Sequence, residues 1–223
     1  MGFMLFCGMR RKSEKLWINL WKRLGLKGDW QPAYADLVCR YSESHRFYHD
    51  LTHIEHCFLE LSKMRNLAAD LNAVELALWY HDAIYDVRRN DNEEKSADLA
   101  KEFCLRIGLS DAFAKKVRAL ILSSKHHRGN PGDLDEQIFT DLDLSAWGKS
   151  WKEFQKDTKN IRLEYSWVTE AVFRKKRAEI LKGFLDRPSI YNTDYFRARY
   201  EIQARKNLKR SLTRLVKNKN RSD

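Results

Sequence analysis

The segment Ala73 to Tyr85, AVELALWYHDAIY, is apolar on nearly every face when wrapped at 3.6 residues per turn, the pattern of a helix buried all round. His81 and Asp82 sit inside it. A bare carboxylate in such surroundings costs several kcal/mol unless it is paired or bound to a metal, so Asp82 needs a partner of opposite charge. A divalent cation fits, with His81 beside it. Matching ligands come from other segments. Between Thr52 and Arg65 the residues Ile54, Cys57, Phe58, Leu61 and Met64 define an inner face. His53 lies at the edge of that face, and His56 turns towards Glu60 and Lys63. Phe139, Leu142, Ala146 and Trp147 put Asp143 on the buried side of their helix and Asp141 on the wet side, where it suits a first-turn position. His127 lies near an inner face if the helix carrying Val117, Leu120 and Ile121 runs that far, with His126 pointing away. Each of these residues alone would suit a hydrogen-bonded core position. Ionisable groups sent inward by three separate helices favour an ion instead. Two imidazoles and two carboxylates form a nitrogen and oxygen site of intermediate hardness. The implied cofactor is a divalent metal ion: Mn, Fe, Co, Ni, Zn or Mg.

These residues need helices to position them, and composition supplies that class. The chain has 223 residues with 43% hydrophobic and 12% aromatic residues, enough for a packed core. Nine glycines and three prolines are too few for a many-stranded β sandwich or barrel. The expected fold is all-α, with helices over Lys12 to Leu26, Pro32 to Tyr41, Thr52 to Arg65, Ala73 to Tyr85, Glu93 to Ile107 and Ala112 to about His127. Phe139 to Trp147, Ser150 to Val168, Glu170 to Leu185 and Asp194 to Val216 complete the series. Asp91 with Glu94 three residues on resembles a capping box. A single domain spans 1 to 223, with a core over about 30 to 150, C-terminal helices over 151 to 216 and a basic frayed tail at 217 to 223.

Lys and Arg number 42 against 31 Asp and Glu, a net charge of +11. Ten of the cations lie between Arg197 and the C-terminus against Glu201 and Asp223. Ile202, Leu208, Leu212 and Leu215 recur there at helical spacing, the pattern of a basic amphipathic last helix. That helix could serve as a solvated face or hold RNA or another acidic partner. The four cysteines form no CxxC pair, no apolar run approaches a membrane span, and charge and apolar block stand in the wrong order for a signal peptide. The expectation is a reduced, cytoplasmic protein with no membrane partner.

Six ordered runs carry a resemblance. They are Arg46 to Ile54 (RFYHDLTHI), Trp79 to Asp86 (WYHDAIYD), Asn92 to Ala97 (NEEKSA), Asp141 to Ser145 (DLDLS), Ile161 to Tyr165 (IRLEY) and Ile190 to Phe196 (IYNTDYF). Together they resemble the HD superfamily of metal-dependent phosphohydrolases, and within it a small bacterial branch of predicted phosphohydrolases. The likeness continues through Glu201, Ala204, Arg205 and Asn207. It implies an HD-type helical bundle with added N- and C-terminal helices, in which His53, His81, Asp82 and Asp143 hold the metal; the later histidine of the pattern falls on the His126-His127 doublet, of which His127 is the candidate extra ligand. It implies hydrolysis of a phosphate ester, a nucleotide or another small phosphorylated metabolite, by metal-activated water that Asp82 helps to orient. Arg46, Lys125 and Arg162 lie in or beside the matching runs as candidate donors to the phosphoryl oxygens. Glu93 suits either a first-turn acid or a proton-transfer group, and His49, one turn before His53, would be available with His127 to a second ion. No GxGxxG, GxxxxGK[ST], GxSxG or HExxH motif narrows the substrate. The superfamily also includes diiron oxygenases, which would make His127 essential. With seven histidines in the chain, one tightly held ion is expected, with a second weak or absent.

Overall fold

The computed structural model describes residues 2–217, with side chains over 12–216. Among the described residues there is no strand, and ten α-helices form the chain. They are α1 (Gly2–Arg23), α2 (Gln31–Tyr41), α3 (Leu51–Leu61), α4 (Leu71–Tyr80), α5 (Asn92–Arg106), α6 (Asp111–Ser123), α7 (Leu134–Leu144), α8 (Trp151–Glu164), α9 (Glu170–Leu185) and α10 (Asp194–Lys217). The expected basic tail at 217 to 223 lies outside the residues whose side chains are described. Among the described residues no helix is long and apolar enough to cross a membrane.

Side-chain caps set most of the helix starts by taking up otherwise unpaired first-turn N–H groups. Asp50 accepts from Thr52 and His53 at the head of α3, and Asp70, Ser110, Asp133 and Thr169 do the same for α4, α6, α7 and α9. Ser150 and Glu153 form a capping box on α8. Two caps differ from expectation. Asp50, not Thr52, caps α3, and the Thr52 hydroxyl donates to it. Asp91 makes no cap bond, because its carboxylate is taken by Arg89 at 2.6 and 2.7 Å.

The core is one continuous cluster from Trp17 in α1 to Leu208 in α10. Helix α4 runs through its middle, and all eight residues from Ala73 to Tyr80 are buried. Trp79 meets Trp17 edge-on at 5.5 Å and lies 5.2 Å from Phe58. Glu75, the acid within this helix, pairs with Arg23 and Arg65.

Helix α4 ends at Tyr80, so the expected helix to Tyr85 is too long. His81 caps it and Asp82 stands on the turn that follows. Side chains satisfy the backbone that another helical turn would have used. Arg46 donates to the carbonyls of Asp82 and Ala83 at 2.6 and 3.2 Å, and Ser96 bonds both the N–H and the carbonyl of Ile84. Helix α6 likewise stops at Ser123, before His127, and α7 begins at Leu134, five residues ahead of Phe139. In α10 the inner face is Phe196, Ala204, Leu208 and Ser211, while Ile202 is 72% exposed and does not join it. Some cations of this helix are engaged within the chain: Arg205 with Glu201 and three carbonyls, Arg210 and Arg214 over the Trp151 ring.

Asp141 is fully buried, not on the wet side of α7. Its oxygens accept from the backbone N–H groups of Asn192 and Thr193 at 2.7 and 2.8 Å and from both side chains, which ties α7 to the start of α10. The early start of α7 moves Asp141 out of the first turn and turns it inward. Asp141→Ala strands these donors in the interior, so urea titration should show a loss of about 3 kcal/mol or more of unfolding free energy. A loss under about 1 kcal/mol would be inconsistent with this role.

Candidate metal centre

Three elements that arrive from different parts of the chain meet at one point. The first turn of α3 carries His53, the turn after α4 carries His81 and Asp82, and α7 carries Asp143 in its last turn. His53, His81 and Asp143 each bring one ligand atom to within 4.8 Å of the others. Nε2 of His53 lies 3.2 Å from Nε2 of His81 and 3.2 Å from Oδ1 of Asp143, and the third side, His81 to Asp143, is 3.6 Å. Oδ2 of Asp82 stands 3.2 Å from His81 and 3.9 Å from His53. Ligand atoms about 2.0 to 2.2 Å from a shared ion would be separated by about 2.8 to 3.6 Å, so the triangle has the size that a divalent ion requires.

The histidine pair supports the same fit. Nδ1 of His81 is 3.0 Å from the Leu78 carbonyl, a bond that fixes the N–H on that side and leaves the Nε2 lone pair facing the cluster. Two imidazole nitrogens that face each other at 3.2 Å can share one proton or a cation between them. Burial opposes charge on His81, but Asp82 and Asp143 overcome it and raise its pKa. Burial likewise opposes ionisation of the two carboxylates, yet the imidazoles around them hold both below the usual range. The cluster is therefore built for two carboxylate charges facing positive charge. Cys57, 3.9 Å from His53, is pushed upward by burial and stays a thiol, which makes it a poor ligand.

His127 reaches the cluster from its open side. Its Nε2 lies 3.1 Å from Oδ2 of Asp143, the oxygen that faces away from His53 and His81. Because α6 has already ended, the chain turns His127 inward through a left-handed backbone with φ of 46°. Arg187 holds this loop by donating to the carbonyls of His126 and His127 at 2.9 and 2.8 Å. Asp82, Asp143, His127 and Glu93 line a cleft of about 1520 Å³ whose far wall is α9. Glu93 stands in the first turn of α5.

The three expected cationic donors differ in placement. Lys125 lines the cleft, paired with Glu94 and bonded to the Asn90 carbonyl at 3.1 Å. Arg46 and Arg162 do not reach it. Arg46 is buried and braces the turn that carries Asp82, as well as the His49 carbonyl. Arg162 is spent on Glu170 and on the carbonyls of Tyr165 and Val168. Comparison with protein-family models, with curated proteins and with solved structures found no match to this chain.

Glu164 is a residue to which sequence reasoning gave no role. One of its oxygens accepts from three consecutive N–H groups, those of Phe47, Tyr48 and His49, at 2.7 to 2.9 Å. The other meets Nδ1 of His49 at 2.7 Å and the Tyr85 hydroxyl at 3.0 Å. It thereby fixes the segment that leads into α3 and His53, and it aims His49 into the cleft stacked on Tyr85 at 4.2 Å. The signal was present: a glutamate ending a helix faces the negative end of the dipole and needs another reason to be there.

Burial works against ionisation of Glu164, but the His49 contact and the backbone N–H groups pull its pKa down from 4.5 to about 2. A depressed carboxyl contributes stability that is present above pH 4.5 and is lost as pH falls through about 2. Wild type should therefore lose about 2 kcal/mol between pH 5 and pH 2.5 that Glu164→Gln does not lose, read by guanidinium titration at the two pH values. Parallel acid limbs for the two proteins would refute the assignment.

Proposed function

We infer that this chain is a metal-dependent hydrolase of phosphate esters, an all-α enzyme of the HD type acting in the reducing cytoplasm on a nucleotide or another small phosphorylated metabolite. The observation that carries this reading is the convergence of His53, His81 and Asp143 on one point, with Asp82 beside them, at the floor of a cleft large enough for such a molecule. His53, His81, Asp82 and Asp143 would hold the ion, and His127 would stand at its open side. A divalent cation there supplies Lewis acidity towards a phosphoryl oxygen and lowers the pKa of a bound water.

The chain's own groups account for the rest. Asp82, on a turn and partly open to the cleft, is placed to accept a hydrogen bond from attacking water and to hold its orientation. Glu164 fixes His49 through Nδ1, so Nε2 is presented to the cleft, where it can give or take a proton. Lys125 and His127 add donors along the wall, suited to negative charge that develops on the phosphoryl oxygens. Tyr85 packs beneath His49 and keeps that ring from turning.

Protein purified without chelator should carry about one tightly bound divalent ion per chain, and His81→Ala and Asp82→Ala should each lose it. Metal-loaded wild type should release phosphate from an ester panel at a rate that Asp82→Ala lowers by about 10³-fold or more. Wild-type protein that stays empty and inactive with every added metal would sink the reading.

A further inference from the structure

A phosphate ester brings negative charge into the cleft, and the cations already there differ in how far they are occupied. Lys125 pairs with Glu94, Lys176 with Glu179 and Arg89 with Asp91. Arg187 donates to the His126 and His127 carbonyls and lies over the Phe184 ring at 3.9 Å, which holds it at the loop although its Nε makes no hydrogen bond. Arg177, in the middle of α9, has no such partner among the described residues. It lines the cleft, its Nε is buried without a hydrogen bond, and it forms no ion pair; the phenols Tyr48, Tyr85 and Tyr165 lie within its electrostatic reach, while Asp157, which shares a small cavity with it, is paired with Lys149 at 3.3 Å. The Trp147 ring lies 6.0 Å from the guanidinium, at the outer limit of a cation–π contact and a weak replacement for an anion.

Arg177 is half-buried with its Nε shut off from both water and protein acceptors, and five donors in a planar fork suit phosphate oxygens two at a time. Arg177 is also near the reacting end of the cleft. Tyr48 packs against His53 with ring centroids 5.3 Å apart and lies within electrostatic reach of both Asp143 and Arg177, so the cation and the candidate metal centre flank one side chain. We propose that Arg177 is the anion receptor of the cleft, binding the phosphate oxygens of the substrate on the side opposite His53, His81 and Asp143. This inference rests on the phosphohydrolase reading and assigns the binding role to a residue outside Arg46, Lys125 and Arg162.

Inorganic phosphate titrated calorimetrically into metal-loaded protein tests it directly. Arg177→Gln should weaken phosphate binding about tenfold or more, and Arg177→Lys, which keeps the charge and loses the fork, should weaken it by less. Lys182→Ala, a cation on the same helix paired with Asp186 and away from the cleft, should leave it unchanged. Metal content and melting temperature, measured on the same samples, should not differ between wild type and Arg177→Lys. Equal affinity in wild type and Arg177→Gln overturns the proposal, and so does a loss that Lys182→Ala shares. If Arg177→Gln does not fold, an Arg177→Lys protein with undiminished affinity overturns it as well. Wild type that holds no metal yet binds phosphate through Arg177 would remove the hydrolase reading and leave the anion site standing. Wild type that holds metal but binds phosphate independently of Arg177 would do the reverse.

Discussion

Buried carboxylates must find donors, and in this protein that constraint fixes where the loops go. Glu164 gathers three N–H groups ahead of α3, Asp141 gathers two ahead of α10, and Asp135 gathers those of Ala69 and Asp70 ahead of α4. Glu201 does the same for Ile190 and Tyr191. In each case an acid on a helix takes the backbone of a connecting segment that could not pair with itself. The helices are held together by apolar packing, but their order around the cleft is held by these four anions. Asp82 and Asp143 face the same demand with a different answer, since the donors that reach them are imidazoles from three elements.

The turn after α4 shows how one cation couples two of these arrangements. Arg46 takes the carbonyls of Asp82 and Ala83 on one side and that of His49 on the other, while Glu164 takes the N–H of the same His49. The segment from Arg46 to Asp50 is therefore pinned through both its donors and its acceptors. His53 follows it directly and His81 precedes the pinned turn. The two imidazoles meet at 3.2 Å with the backbone ahead of His53 and the backbone after His81 both fixed by charge-assisted hydrogen bonds.

The sequence made the buried helix and its inward histidine and aspartates readable, because an apolar run that wraps a full helix leaves an ionisable residue few choices. Ala73 to Tyr80, His53 and Asp143 came out at the positions their periodicity predicts. What periodicity could not show was where each helix stops. The end of α4 depends on Arg46, which lies 36 residues from Asp82, and the inward turn of His127 depends on Arg187, 60 residues away. Asp141 was misplaced for the same reason, since its donors sit 51 and 52 residues further on. Local pattern carries helix faces; the pairing of buried charges is long-range and has no period.

The cleft consequently has two walls of different character. The wall formed by α3, the turn after α4, and α7 carries the imidazoles and carboxylates, and its groups satisfy one another through short contacts inside the core. The wall formed by α9 carries Phe173, Arg177 and Phe184 against that cluster, with the Lys176–Glu179 pair beside them. Helix α9 is tied to the core at Leu181 and through the Arg187 contact with the His127 loop, so a ligand drawn towards Arg177 also bears on the loop that presents His127 to Asp143. That loop is one connection between the two walls, and Tyr48, packed against His53 and beside Arg177, is another.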